Sequence, residues 1–314
     1  MSDTTHTGDS VSLTTLMGSS RRHRKEAAVH ATFLAAALFS ILISALIVYS
    51  LFSEAWVFMR DIDWGATWGE VGWFPRRGIY DMPTLLVASL WVTGIAMVVA
   101  GPIGLGAAVY LSEYARPGSR RILKPMLEVL AGIPSVVLGF FALSWLAPQV
   151  VARIGGDGGR GSIMAAGIGV GILTIPLVAS ISEDAMSAVP KSLREASAGL
   201  GARKVMTTVR VVLPAAISGL VAAFIVAISR ALGETMVVFM AGGASDATVF
   251  TASPYDGSLT MTAAMASLAS GTDSVVGEAL TFQSLFFVGL VLFALTLFLN
   301  VLGNSLVARV REQY

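Results

Sequence analysis

The apolar positions of this chain gather into long windows, at about 30–52, 84–111, 127–151, 162–182, 215–240 and 281–308. Each is near or above the roughly 20 residues with which a helix crosses about 30 Å of hydrocarbon. A helix satisfies its own backbone hydrogen bonds in lipid, so the pattern predicts an all-α polytopic membrane protein with six spans. The first window has no small-residue cleavage site after it and is expected to be retained. Pro102, with Gly101, Gly104 and Gly106, predicts a bent or closely packed end to the second span, and Pro134 predicts a kink in the third. Gly167, Gly169 and Gly171 lie in an apolar window without the strand and acidic partner of a nucleotide loop, which predicts close helix packing. Leu259–Ser270 is only mildly apolar and too short to cross; it is expected to lie against the outer mouth or to re-enter partly. Residues 1–25 read as a flexible tail, and 26–314 as one transmembrane domain.

Composition agrees with the pattern: 55% of the 314 residues are hydrophobic, 13% are charged, and mean hydropathy is +0.75. The absence of cysteine excludes disulfides, iron–sulfur clusters and thiolate metal sites. With the tail inside, the inner segments hold 15 Lys and Arg, in clusters at 21–25, 116–124, 191–210 and 309–311, against 5 outside at Arg60, Arg76, Arg77, Arg153 and Arg160. That asymmetry predicts both termini in the cytoplasm. Trp56, Trp64, Trp68 and Trp73 cluster in the first outer loop, where interface anchoring is expected.

The fifth window contains "SRALGETM", Ser229–Met236. A charge at mid-membrane costs about 2.5–3.5 kcal/mol on insertion scales, so neither Arg230 nor Glu234 belongs on a lipid-facing surface. At i and i+4 of one helix they share a face and can pair. Two readings stay open. The pair locks the span into the bundle, or Arg230 contacts a passing oxyanion while Glu234 holds it and limits how tightly the anion binds, with Ser229 and Thr235 adding hydroxyl donors. His6, His23 and His30 lie in or just after the tail, so no catalytic constellation is evident. The chain lacks a Walker A run, which assigns any ATP hydrolysis to another chain and makes this one no enzyme. A secondary anion transporter is the alternative from another class, but Glu234 is the one acid evident in a window core, Glu128 being at an edge.

The segment 183–214 is too polar to span and is expected to be cytoplasmic. Pro190 can open a helix. Leu193, Ala196 and Leu200 fall on one apolar stripe, and Gly199 and Gly201 allow a turn before a second helical stretch ending at Pro214. Two short helices around a turn can insert into a groove of another protein. "EASAGLGARKVMTTVRVVLP" resembles the EAA loop of ABC importer permeases: Glu195, Ala196, Gly201, Leu213 and Pro214 match, while Ser197 replaces the usual alanine. The resemblance implies the transmembrane domain of a type I importer, with Glu195, Ala196, Gly199, Gly201, Leu213 and Pro214 shaping coupling helices that dock on ATPase subunits.

"GPIGLGAAVYLSEYA", "GIPSVVLGFFAL", "VPKSLREASAGLGA" and "SRALGETM" are together similar to the PstC-type permeases of phosphate-specific importers, from about residue 80 onward. This resemblance implies a bacterial plasma-membrane subunit importing phosphate, with Arg230 and Glu234 associated with transport. It also implies a second, PstA-like permease, two PstB-like ATPase subunits and a PstS-like extracytoplasmic binding protein. No cofactor, metal or nucleic acid is expected. Sulfate, molybdate or tungstate as substrate, and a PstA-like identity, remain the alternatives within the class.

Overall fold

The computed structural model describes residues 20–69, 71–155, 161–243, 249–270 and 280–310. Positions 1–19 of the expected tail lie outside the described residues. Its last part is not a loose tail, because helix α1 spans Ser20–Asp61 and takes the basic run Arg21–Lys25 as its first turns. No glycine or proline interrupts those 42 residues, which form a helix about 63 Å long.

The chain divides into two compact units, Met1–Ser53 and Glu54–Tyr314. In the first, every residue from Lys25 to Ser50 is exposed, as suits an apolar helix whose solvent is lipid. In the second, the helices are α2 (Met82–Val109), α3 (Pro117–Ala131), α4 (Ser135–Phe141), α5 (Ile163–Ser187), α6 (Lys191–Gly199), α7 (Lys204–Thr207), α8 (Ile217–Leu232), α9 (Met236–Ala241), α10 (Met261–Ser270) and α11 (Thr281–Val310). Single π-turns extend α2 through Tyr114, α4 through Leu146 and α7 through Val212. Two isolated bridges, and no sheet, occur among the described residues. Among the described residues five helices are long and apolar enough to cross a membrane, six if the bent pair Lys204–Ala215 and Ile217–Leu232 is one span.

The core is built on α2 against α5. An added Cβ at Gly167 would lie 2.7 Å from Cβ of Ile95, one at Gly171 2.8 Å from Cβ of Val99, and one at Gly104 2.7 Å from Cβ of Val178. Glycine lets the two backbones approach, and the gain is dispersion contact along the whole seam. Gly169 points the other way, with 3.0 Å to both Ala142 and Val237, so one small-residue run serves two interfaces.

Three expectations about spans need correction. The third span begins at Ser135, not 127, because Pro134 has no N–H to continue the helix and Gly132–Pro134 breaks it. Upstream, α3 is amphipathic, with Ile122, Met126 and Val129 exposed on one side and Arg120 and Lys124 on the other. The fourth span runs on to Ser187, so residues 183–187 of the expected loop are its last turn. The fifth bends by 70° around Ala216 and breaks again at Gly233–Thr235.

Burial decides two further points. Leu259–Ala264 are buried in the core, so of the two placements expected for this segment the one against the outer mouth is excluded and partial re-entry stands. Trp73 is 1% exposed and packs edge-on against Tyr80 at 5.7 Å, whereas Trp56, Trp64 and Trp68 are exposed as interface rings would be.

Candidate functional site

Arg230 lies in the last turn of α8, and Gly233 ends that helix. Glycine is a poor helix former, and the chain leaves helical geometry at Glu234 and resumes at Met236. The i,i+4 relation assumed for Arg230 and Glu234 holds only within a continuous helix, so the break separates them. Arg230 is exposed and forms no ion pair among the described residues, while Glu234 is 8% exposed. Side-by-side pairing is therefore corrected. Glu234 Oε1 instead accepts the backbone N–H of Val237 in the first turn of α9, at a long 3.5 Å. Its carbonyl accepts the Thr262 hydroxyl at 2.7 Å, which brings the start of α10 beside it. A carboxylate near helix starts meets free N–H groups and the positive end of the dipole, which stabilises it without a cation.

The two hydroxyls differ. Ser229 Oγ is buried with no hydrogen-bond partner, whereas Thr235 donates to the Gly233 carbonyl at 3.3 Å inside the break. Ser229, Arg230, Glu234 and Thr235 thus stand around one helix interruption, with a free guanidinium and an orphan hydroxyl on its α8 side.

The second cluster is the α6–α7 loop. Helix α6 ends with Gly201 N–H on the Ala198 carbonyl (2.9 Å) and Ala202 N–H on the Ser197 carbonyl (3.1 Å), while Gly201 takes φ +78°. That is a Schellman ending, which requires the left-handed residue that glycine supplies. Ser197 and Thr207 hydroxyls meet at 2.8 Å and join the helices, so the serine in place of alanine makes a contact alanine lacks. Of the apolar stripe, Leu193 packs inward, whereas Ala196 is exposed and Leu200 is 90% exposed. Glu195, Gly199 and Pro214 are exposed too, and Leu213 is half-buried. Leu200, Val205, Met206 and Val209 are thus exposed apolar side chains on this loop, which also exposes Lys191, Glu195, Arg203 and Arg210.

Residues 100–312 match the model of the binding-protein-dependent transport system inner membrane component. The chain belongs to this family. It is a membrane-embedded permease of the binding-protein-dependent ABC import class, similar to permeases named for phosphate transport. The chain is 32% identical over 256 residues to the phosphate transport system permease protein PstC 1 of Mycobacterium bovis, covering 75% of each. It is 35% identical over 205 residues to the probable ABC transporter permease protein YqgH of Bacillus subtilis, across 65% of this chain and 63% of that relative's length. A bacterial ABC transporter that imports the acidic polysaccharide alginate has the same fold, with a TM-score of 0.61 at 12% identity, over 93% of this chain and 100% of that one.

Sequence reasoning missed the charges that fasten this permease's loop to its spans. Arg194 sends Nη1 to the Val189 carbonyl (2.6 Å) and Nη2 to the Met186 carbonyl and Glu113 (2.8 Å each), tying α6 to the ends of α5 and α2. Glu183, 1% exposed, accepts from Arg120, Ser187 and Lys124. The available signal was an acid in the last turn of an apolar window with cations across the loop. Closing the fourth window at 182 hid it. Hydrogen bonds that Lys124 donates to Asp184 and Glu183 hold its pKa above the ordinary 10.5. Its ion pairs therefore contribute fully below that value and weaken only as pH rises past the raised one, well outside the neutral range.

Proposed function

We propose that this permease carries inorganic phosphate from an extracytoplasmic binding protein to the cytoplasm, driven by ATP hydrolysis on two partner ATPase subunits and paired with a second permease chain. One observation carries the reading: Arg230 is an exposed guanidinium with no ion pair among the described residues, about 20 Å along α8 from Ile217. A charge at that depth needs water or a partner chain rather than lipid. Its planar fork suits a tetrahedral oxyanion, and Glu234, held apart, keeps the local field from trapping it. The names of the relatives favour phosphate among the oxyanions.

The test is binding-protein-dependent uptake of radiolabelled phosphate by the reconstituted complex, with sulfate and molybdate as competitors. Phosphate uptake resistant to both is expected. Full competition by sulfate moves the substrate to another oxyanion, and uptake that persists without ATP removes the energy source. Both termini are assigned to the cytoplasm; in this cysteine-free chain, Ser192→Cys reacting with an impermeant thiol reagent from outside would reverse that orientation.

The α6–α7 surface is the proposed docking face for the ATPase. An added Cβ at Gly201 meets nothing within 4 Å, so Gly201→Asp has room inside the permease and costs only about 1–2 kcal/mol of backbone strain. On the partner side it places a carboxylate in an apolar contact. Pull-down is expected to find the variant permease in the membrane with its ATPase content reduced about tenfold or more. Full ATPase stoichiometry would remove the docking role.

A further inference from the structure

Glu183 is a buried carboxylate that the transport reading does not use. Its Oε2 accepts Lys124 Nζ at 2.8 Å, and its Oε1 accepts the Arg120 guanidinium and the Ser187 hydroxyl. Lys124 also bonds Asp184 at 2.7 Å, and Arg120 bonds Ser187 Oγ at 3.0 Å. Both cations come from α3, which has no fully buried residue and lines, with Leu111 and Ser112, an open groove of about 520 Å³. Apolar packing therefore does little to fix α3, and there is room beside it. The charges at Glu183 are the specific tie to α5.

This tie stands midway along a path made of side-chain contacts and, between α3 and α4, of the chain itself. Upstream, Arg194 fastens α6 to the Met186 and Val189 carbonyls at the end of α5. Downstream, α3 ends at Gly132–Pro134 and α4 follows, flush against α9. An added Cβ at Gly139 would lie 3.1 Å from the Met236 carbonyl and 3.2 Å from Met240 Cβ. Helix α9 opens two residues after Glu234.

We propose that Glu183, clamped by Arg120 and Lys124, is a positioning residue that transmits displacement of the α6–α7 loop through α3 and α4 to the interruption at Glu234. The inference rests on the assignment of that loop as docking surface and of Arg230 as anion contact. An ionic clamp suits the task. It holds position strongly at its contact distance, and it joins two helices whose apolar faces do not interlock.

The test uses the full transporter complex and a reporter cysteine, Met236→Cys, at the exposed start of α9 in the cysteine-free chain. ATP with vanadate is expected to change the thiol-labelling rate in the otherwise native chain. The variant Arg120→Gln/Lys124→Gln/Glu183→Gln removes all three charges together and strands no buried charge, since Asp184, the other partner of Lys124, is exposed. It is expected to assemble with normal ATPase content but lose the ATP-driven labelling change, with anion moved per ATP falling about tenfold, within the range of coupling between distant sites. Arg120→Lys with the other two residues native is expected to retain the response.

A triple variant that still responds to ATP, or one that fails to assemble, would overturn the proposal, the latter by showing that the charges serve folding. No response in the reporter-only chain would overturn it too, since α9 would then not move. Labelling needs no substrate, so these outcomes are separate from a failure of phosphate uptake by the native complex.

Discussion

Phosphate uptake per assembled complex falls about 100-fold in Arg230→Gln, the loss expected when a charge-assisted contact worth about 2–5 kcal/mol is truncated. Glutamine keeps two N–H donors but neither the charge nor the fork, so the anion loses both attraction and bidentate geometry. Assembly should be near normal, because Arg230 is exposed and forms no ion pair among the described residues. Glu234→Gln acts differently, since the Glu234 carboxylate accepts the Val237 N–H at the start of α9 and glutamine offers only a neutral, weaker acceptor there. With the two side chains apart, their effects on assembled protein should add within about 0.5 kcal/mol in a double-mutant cycle. A locked pair predicts the opposite: each single change harms assembly, and the double change recovers it. Near-native uptake by Arg230→Gln in a well-assembled complex would eliminate the anion contact.

The largest effect on folding is expected at the α2–α5 seam. Gly167→Ala forces a methyl to within 2.7 Å of Ile95 Cβ, a position real Cβ atoms do not occupy, so the helices must separate. Overpacking of this kind costs about 1–3 kcal/mol, and Gly167→Leu should exceed that and abolish folded protein. Gly106→Ala is the control, since an added Cβ there meets nothing within 4 Å. Alanine is the better helix former, so this change should be neutral or slightly stabilising. Thermal unfolding of the purified permease in detergent, with recovery of monodisperse protein, checks both. Equal melting temperatures for the two alanine variants would show that the seam can relax and that the glycines are not what sets its spacing.

Much of this permease is decided by one-dimensional properties. Lipid solvates apolar side chains and refuses free backbone groups, so window length alone commits residues such as Ile163–Ser187 and Thr281–Val310 to helices, whatever their neighbours. The Schellman turn at Gly201 is local for the same reason, because the left-handed backbone there depends on one residue type. The matches at Glu195, Ala196, Gly201, Leu213 and Pro214 made the family legible, since each sits at a fixed distance from that turn.

Tertiary structure decided whatever depends on where a helix stops and what it then faces. Periodicity carried Arg230 and Glu234 onto one helical face, but the interruption at Gly233 is stabilised by Val237 and by Thr262, which lies 28 residues farther on, and no window around Ser229–Met236 contains that partner. Trp73 reads the same as Trp64 or Trp68 in composition and becomes a core residue through tertiary packing that includes its edge-on contact with Tyr80. Glu183 lies more than 50 residues from both Arg120 and Lys124, and its burial follows from the packing of α3 on α5. Local chemistry sets which backbone conformations are open at each residue. Long-range packing selects among them where their energies are close, at helix ends and at charges in a low-dielectric surrounding, and in this permease those are the positions at which the proposed transport function sits.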